Sequence, residues 1–475
     1  MFIAPSSSAA QLPTFTSLFR SFAQDPGLPF ADALPEEQIK QLCHQEGVDF
    51  ASEPDACWTP ALTLWAWLTQ CLSDSKSCVA AVARVLVLRA ALDLPLCSAN
   101  TGAYCKARSK LPERFLQRLA LQVGEAVEDS APAAWRWKGR RVCLMDGTEC
   151  SMPDTPANQK EYPQPSTQKK GLGFPMIRLL VLLTFATAGV IGCAMGPYQG
   201  KQTGETALFR SLSDRVRVGD VLVSDRYHCS FWHVAAVRDR GADVCARLHQ
   251  RRKYDFSTGE RLGAGDHVVQ WAKPAARPEW MDEETYASFP ATVTVREVHF
   301  VVTRPGYRSK EIVVATTLLD ARVYSKEDIA ELYHHRWHVE LDIRAIKQTL
   351  HMDILSCKTP EMVRKEIWAH LLAYNLIRKV MAQAAMATKT TPRHLSVAGA
   401  VQTVNAFRWL LVVESRDGRR LSLMRALLVA VGTHKVGKRP GRYEPRKKKR
   451  RPGRLPLLTT PRAQARAAML QQTAA

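Results

Sequence analysis

Twelve cysteines are spread through the 475 residues, yet no two form a C-x-x-C pair and none joins histidines at zinc-finger spacing. That excludes the common structural zinc modules. Cys43, Cys71, Cys193 and Cys245 lie in apolar stretches, where buried free thiols are the expectation, and the whole set reads as a reducing, intracellular compartment. No basic segment followed by an apolar run opens the chain, so a secretory leader is not expected. Internal repeats are absent. Negative charge is the scarcest commodity: 45 acidic residues face 66 basic ones, for a net charge of +21. Such an excess selects nucleic acid or an anionic membrane as partner. Basic residues are scarce in the first sixty positions, which hold two against eight acids, so nucleic-acid contacts are not expected there.

The membrane alternative turns on one charge-free run of twenty residues, from Leu179 to Tyr198, which is long enough to span a bilayer. Thr184, Thr187, Gly189 and Gly192 interrupt it, and Ala188-Gly189 suits a turn. Its two halves are rich in β-formers and each has strand length. The run predicts a buried β-hairpin and no membrane association.

What the chain does have is basic charge in a block and carboxylates in pattern. Lys435 to Arg454 carries eleven Lys or Arg and one acid, Glu444. This stretch, rich also in Pro and Gly, predicts a flexible tail that adds sequence-independent affinity for DNA. Residues 61–126 predict helices, with short elements around SANTGAYCKAR (98–108) that suit either a helix-turn-helix or an ordinary bundle.

From Arg141 the pattern changes to an α/β sheet. RVCLMDGT (141–148) and VLVSDRYH (221–228) each predict a short apolar strand that ends in a carboxylate, Asp146 and Asp225. Strand ends converge on one sheet edge, where ligands bind. Alternating segments between 250 and 320 predict a β-rich insertion. A capping signal at Ser325 and Asp328 opens a helix expected to run to about Leu350. On it Tyr333, Arg336, Glu340 and Lys347 fall within roughly 60° of one face. Carboxylates gathered in this way suit Mg2+, which takes hard oxygen ligands. By themselves, however, strand-end aspartates also cap loops, and Arg336 with Glu340 also suits a surface ion pair.

Five motifs carry a resemblance: MDGT at 145–148, SMPDTPANQ at 151–159, GLGFP at 171–175, GDVLVSDRYH at 219–228 and YHHRWHVELDIRAIK at 333–347. In that order the chain resembles the DDE transposases of the bacterial insertion-sequence-four family, over roughly residues 95–385. The helix signature Tyr, two residues, Arg, three residues, Glu, six residues, Lys is met by Tyr333, Arg336, Glu340 and Lys347 without a gap. The resemblance implies a ribonuclease H-like catalytic core interrupted by a β-rich insertion, with a helical N-terminal region and a basic C-terminal tail. The boundaries expected are 1–130 for the DNA-binding helices, 135–250 and 321–386 for the two parts of the core, 251–320 for the insertion and 387–475 for the C-terminal region.

It further implies that Asp146, Asp225 and Glu340 are catalytic and hold two Mg2+ ions, with Mn2+ as a substitute, while Tyr333, Arg336 and Lys347 bind DNA. The implied activity is metal-dependent strand cleavage and strand transfer at terminal inverted repeats. The implied partners are double-stranded repeat and target DNA, bound by a homodimer on paired ends in the bacterial cytoplasm, at the nucleoid. Hairpin-forming relatives stack a flipped base on a Trp at the start of the last insertion strand. Ile312 holds that position here, which leaves Trp271 and Trp280 as substitutes or as packing residues. A nuclease of the same fold without strand transfer, and a domesticated DNA-binding protein, are the alternatives.

Overall fold

A computed structural model describes residues 15–22, 36–48, 57–301, 311–437 and 456–473. Most of the basic tail, residues 438–454, lies outside the described residues. The N-terminal part is helical: α1 (Phe15–Phe19), α2 (Glu36–Gln45), α3 (Pro60–Cys71), α4 (Cys78–Ala91), α5 (Thr101–Lys110) and α6 (Glu113–Asp129). A mixed segment follows, with β1 (Val142–Ser151), α7 (Pro156–Glu161), β2 (Met176–Thr184), β3 (Val190–Pro197), α8 (Glu205–Arg210), β4 (Val221–Ser224), α9 (Phe231–Asp239) and β5 (Asp243–Arg247). Then come β6 (Glu260–Gly263), β7 (Asp266–Ala272), α10 (Glu283–Ser288), β8 (Thr292–Val301) and β9 (Glu311–Thr316). The remainder is helical: α11 (Lys326–His334), α12 (Trp337–Arg344), α13 (Pro360–Ala387), α14 (Val397–Val413), α15 (Asp417–Thr433) and α16 (Arg462–Thr473).

The nine strands form one sheet in the order β3-β2-β1-β4-β5-β9-β8-β7-β6. β1, β2 and β3 are antiparallel neighbours, whereas β4 and β5 run parallel to β1. The expected hairpin is present in β2 and β3, and its turn places Ala188 at φ 58°. No helix among the described residues is long and apolar enough to cross a membrane. The strands expected as an insertion do not form a layer of their own. β9 pairs directly with β5, and β8, β7 and β6 continue the sheet outward.

Both faces of the central strands are covered, which explains why they read as unbroken apolar runs. Val142, Leu144, Val181, Val221 and Val223 share a core with α6, α11, α12 and α13. Cys143, Met145, Leu180 and Leu222 face the opposite core, which holds Phe209 of α8 and Val234 of α9. Thr59 caps α13's counterpart α3, and Thr359 caps α13 itself, each with a proline in the first turn. Val363, Ile367, Leu371, Tyr374 and Val380 of α13 are buried, and so is nearly every other side chain from Val363 to Ala385. α3, α6, α14 and α15 all pack on this helix, so it has no solvent face.

The N-terminal helices are integral to this core. α6 crosses α13 and β3 at Gly124, where a Cβ would run into the Val190 carbonyl and stand 2.7 Å from Asn375 Nδ2. Asn375 accepts from Val190 N at 2.8 Å and donates to Val190 O at 2.9 Å and Ala120 O at 2.8 Å, tying the edge strand to both helices. Gly124→Ala is therefore expected to destabilise the protein by about 1–3 kcal/mol, seen as a lowered midpoint in urea unfolding. An unchanged midpoint would show that the crossing is loose.

A carboxylate cluster at the centre of the sheet edge

Asp146 does not stand beyond its strand as the sequence suggested. β1 continues to Ser151, and Asp146 pairs in register with Val181 of β2. Only the β4 side of β1 ends early, at Leu144 opposite Val223. The apolar pattern missed this because β1 stays hydrogen-bonded to β2 after β4 has left it. Asp225 does follow its strand. It caps the short 3-10 turn Arg226–His228, with Oδ1 accepting from Tyr227 N at 2.8 Å.

The helix expected over 325–350 is not continuous. The Ser325–Asp328 capping box is present, but α11 stops at His334, α12 starts at Trp337, and Ala345–Thr349 is a π-helical turn. Arg336 and Glu340 nevertheless share a face: Arg336 Nη2 donates to Glu340 Oε1 at 2.6 Å, and Nη1 lies 4.0 Å from Asp146 Oδ2. Burial pushes the Asp146 carboxyl up to about 6, Arg336 and the Gly147 amide oppose the rise, and the charges of Asp225 and Glu340 add to it. Arg336 thus lies between Asp146 and Glu340, and the charge of Asp225 is felt at Asp146.

The other residues of the helix motif separate. Burial raises the Tyr333 hydroxyl to about 12, against the pull of Arg336 and Arg247, with Asp225 close enough to add to the rise. Lys347 is turned to β1, where Nζ donates to Glu149 O at 2.7 Å and Thr148 Oγ1 at 3.2 Å. The π turn makes that direction possible, and spacing on an ideal helix did not predict it. Two arginines that sequence reading missed join the cluster. Arg226 follows Asp225 and donates to Gln250 at 3.2 Å, and Arg247 ends β5 with its guanidinium pushed down by burial and by the charges of Arg226 and Arg336. A basic residue directly after a strand-end acid was the available signal for Arg226.

Trp271 is buried; its Nε1 donates to Glu297 Oε1 at 2.9 Å and Arg252 lies 3.8 Å over its ring. It is a packing residue. Trp280 remains exposed, with Arg210 at 4.1 Å over its ring. Ile312 pairs with Phe300 inside the sheet. Of the cysteines expected to be buried, Cys71, Cys193 and Cys245 are, and Cys43 is half-buried; all twelve are free. In α5, Arg108 stacks 5.0 Å from both Trp67 and Tyr104, which takes it out of the basic surface formed by Lys106 and Lys110.

The donor set of Asp146, Asp225 and Glu340 is chemically right for a hard divalent cation, and the Arg336 side chain already places positive charge there. Among the described residues, no three His, Cys, Asp or Glu side chains lie close enough to hold one ion as they stand.

The structure is an α/β sheet flanked by helices, with Asp146 and Asp225 each just past the point where β1 and β4 part. Residues 137–376 match the family described as "Transposase DDE domain", and the chain belongs to that family. It is a DNA transposase, an enzyme of DNA cleavage and strand transfer, in a family that uses divalent metal ions. It is 27% identical over 360 residues, 75% of this chain and 78% of the other, to "Transposase InsG for insertion sequence element IS4" of Escherichia coli K12. A 69-residue stretch is 39% identical to "Putative transposase InsL for insertion sequence element IS186A" of the same organism, over 14% of this chain and 19% of that one. The structure of a "piggyBac transposase synaptic complex with hairpin DNA" aligns over 92% of this chain and 88% of that one, at TM-score 0.43 and 10% identity, too loosely to fix the fold.

Proposed function

We propose that the protein performs cut-and-paste transposition with a ribonuclease H-like core, in which Asp146, Asp225 and Glu340 hold two Mg2+ ions, or Mn2+ in their place. The strand order β3-β2-β1-β4-β5, antiparallel then parallel, supports the core assignment. The observation that supports the site is Arg336 held between Asp146 and Glu340, beside the point where the β1–β4 ladder ends two residues short of Asp146 and Asp225. When bound there, the divalent metal supplies neutralising charge at the phosphate and acidifies the attacking hydroxyl. The chain's own residues do the rest. Arg336, released from Glu340, takes a phosphate oxygen; Arg226 and Arg247 add positive charge beside Asp225; and the Tyr333 hydroxyl donates to the DNA backbone. Lys347 ties its turn to β1 at Thr148 and Glu149 and is proposed to meet a phosphate there.

In cleavage, water adds to phosphorus and the bond to the 3′ oxygen breaks. In transfer, the freed 3′-hydroxyl attacks a target phosphodiester, forming one P–O bond as another breaks, and no covalent bond to protein is made. The exposed basic face of α5 is proposed to meet the terminal repeat, the basic tail to contact DNA of any sequence, and two copies to act on paired ends. The test is to incubate the protein with Mg2+ and end-labelled DNA that carries the repeats flanking its gene, together with a supercoiled target. Metal-dependent nicks at the repeat boundary and joined products are expected, and a hairpin is revealed by its mobility on a denaturing gel. Cut products that never join would favour the nuclease reading, and specific binding without cleavage the DNA-binding one.

A further inference from the structure

No backbone pair between β1 and β4 reaches Asp146 or Asp225. The β1–β4 ladder ends at Leu144 opposite Val223, so each aspartate lies two residues past the last pair that joins their strands. Glu205, the first residue of α8, lies near a residue on each side, Gly147 and His228. A Cβ at residue 147 would run into its carboxylate, which places the group on the side of β1 opposite the Asp146 side chain. Its Oε2 lies 3.4 Å from Nε2 of His228. His228 ends the turn that Asp225 caps, is 1% exposed, and has no hydrogen-bond partner for either ring nitrogen among the described residues. Glu205 is itself held in place. Arg178 Nη1 donates to Thr203 O at 3.2 Å just before α8, and Leu208 and Phe209 anchor the helix in the core beneath β2 and β3.

We infer that Glu205 is a positioning residue: by bridging Gly147 and His228 from the rear of the sheet, it sets the distance between Asp146 and Asp225. The inference rests on the reading that those two aspartates hold the metal. It also gives Gly147 a reason, since any side chain there would displace the bridge. A group that orients metal ligands in this way is worth roughly ten- to a hundredfold in metal affinity.

The test is Mn2+ binding by full-length protein without DNA, followed by the electron paramagnetic resonance signal of free Mn2+, with thermal unfolding of each variant alongside. Wild type is expected to bind Mn2+ and Asp146→Asn to lose it. Glu205→Ala is expected to weaken binding at least about tenfold, and Glu205→Gln, which keeps the length and can still meet His228, to restore most of it. Affinity for repeat DNA is expected to stay at the wild-type level. Should Glu205→Ala fail to fold, His228→Asn removes the same bridge from its other end and is read instead. Wild-type Mn2+ affinity in Glu205→Ala, or Glu205→Gln as weak as Glu205→Ala, would overturn the inference while leaving the metal site standing. Absence in wild type of any Mn2+ binding that depends on Asp146 would remove the metal reading itself, and this inference with it.

Discussion

Glu340→Gln and Asp146→Asn are each expected to cut repeat ends at least about a thousandfold more slowly than wild type while binding those ends with unchanged affinity. The magnitude follows from the loss of a charge-stabilising ligand at the phosphate, worth about 4 kcal/mol or more of the barrier. Both substitutions are nearly isosteric, so the packing around β1 and α12 is kept. In Glu340→Gln the amide oxygen still accepts from Arg336, which now donates at 2.6 Å to Oε1. DNA affinity comes mainly from cations meeting phosphates and is therefore carried by other residues. Single-turnover cleavage on labelled ends, read beside a gel-shift titration, checks both halves. Cleavage at near wild-type rate by either variant would remove that acid from the chemistry. Loss of binding together with cleavage would instead mean that the acid serves the DNA-binding surface or the fold.

The same substitution at Asp146 is expected to make the metal-free protein more stable at pH 7.5. The folded carboxyl is raised from 3.8 to about 6, chiefly by burial. Between these values the unfolded chain has lost the proton and the folded chain has kept it. Stability therefore falls as pH rises through this window, and the whole cost persists above about pH 6. With the side chain 23% exposed, the cost is on the order of 2 kcal/mol. Asp146→Asn removes it, so the variant is expected to exceed wild type by about that much at pH 7.5 and to match it near pH 4. Urea unfolding at the two pH values measures the difference. Adding Mg2+ is expected to reverse the order at pH 7.5, because only wild type gains from binding. A variant less stable than wild type at both pH values would show that the Asp146 carboxylate is a net stabilising partner of Arg336.

Much of the site could be read from the chain. Asp146, Asp225 and Glu340 were singled out by their motifs; in the structure Arg336 lies between Asp146 and Glu340, and Asp225 follows the neighbouring strand. Asp225 was legible because VLVS is a short buried strand with a capping acid directly after it. The hairpin was legible because its strands, buried on both faces from Leu179 onward, carry no charge over that stretch. The position of Asp146 within β1 was not, since the strand's length depends on β2, a partner that begins 30 residues later at Met176. Arg247 was missed for a related reason: nothing local marks the end of β5 as a neighbour of Tyr333 and Arg336.

The sequence by itself determined the class of chemistry and the order of elements, and it nominated the three acids. Those features rest on local signals: apolar strand runs, capping residues, and fixed spacings along one helix. Only the tertiary structure decided that β6 to β9 extend the central sheet, that α13 is buried on all sides, and that Arg336 holds Glu340 while Lys347 turns to β1. It alone placed Glu205 behind Gly147 and against His228. These arrangements join residues far apart in the chain, and they are set by which surfaces must be covered and which charges must be paired once the chain is compact. A one-dimensional pattern carries no record of either requirement.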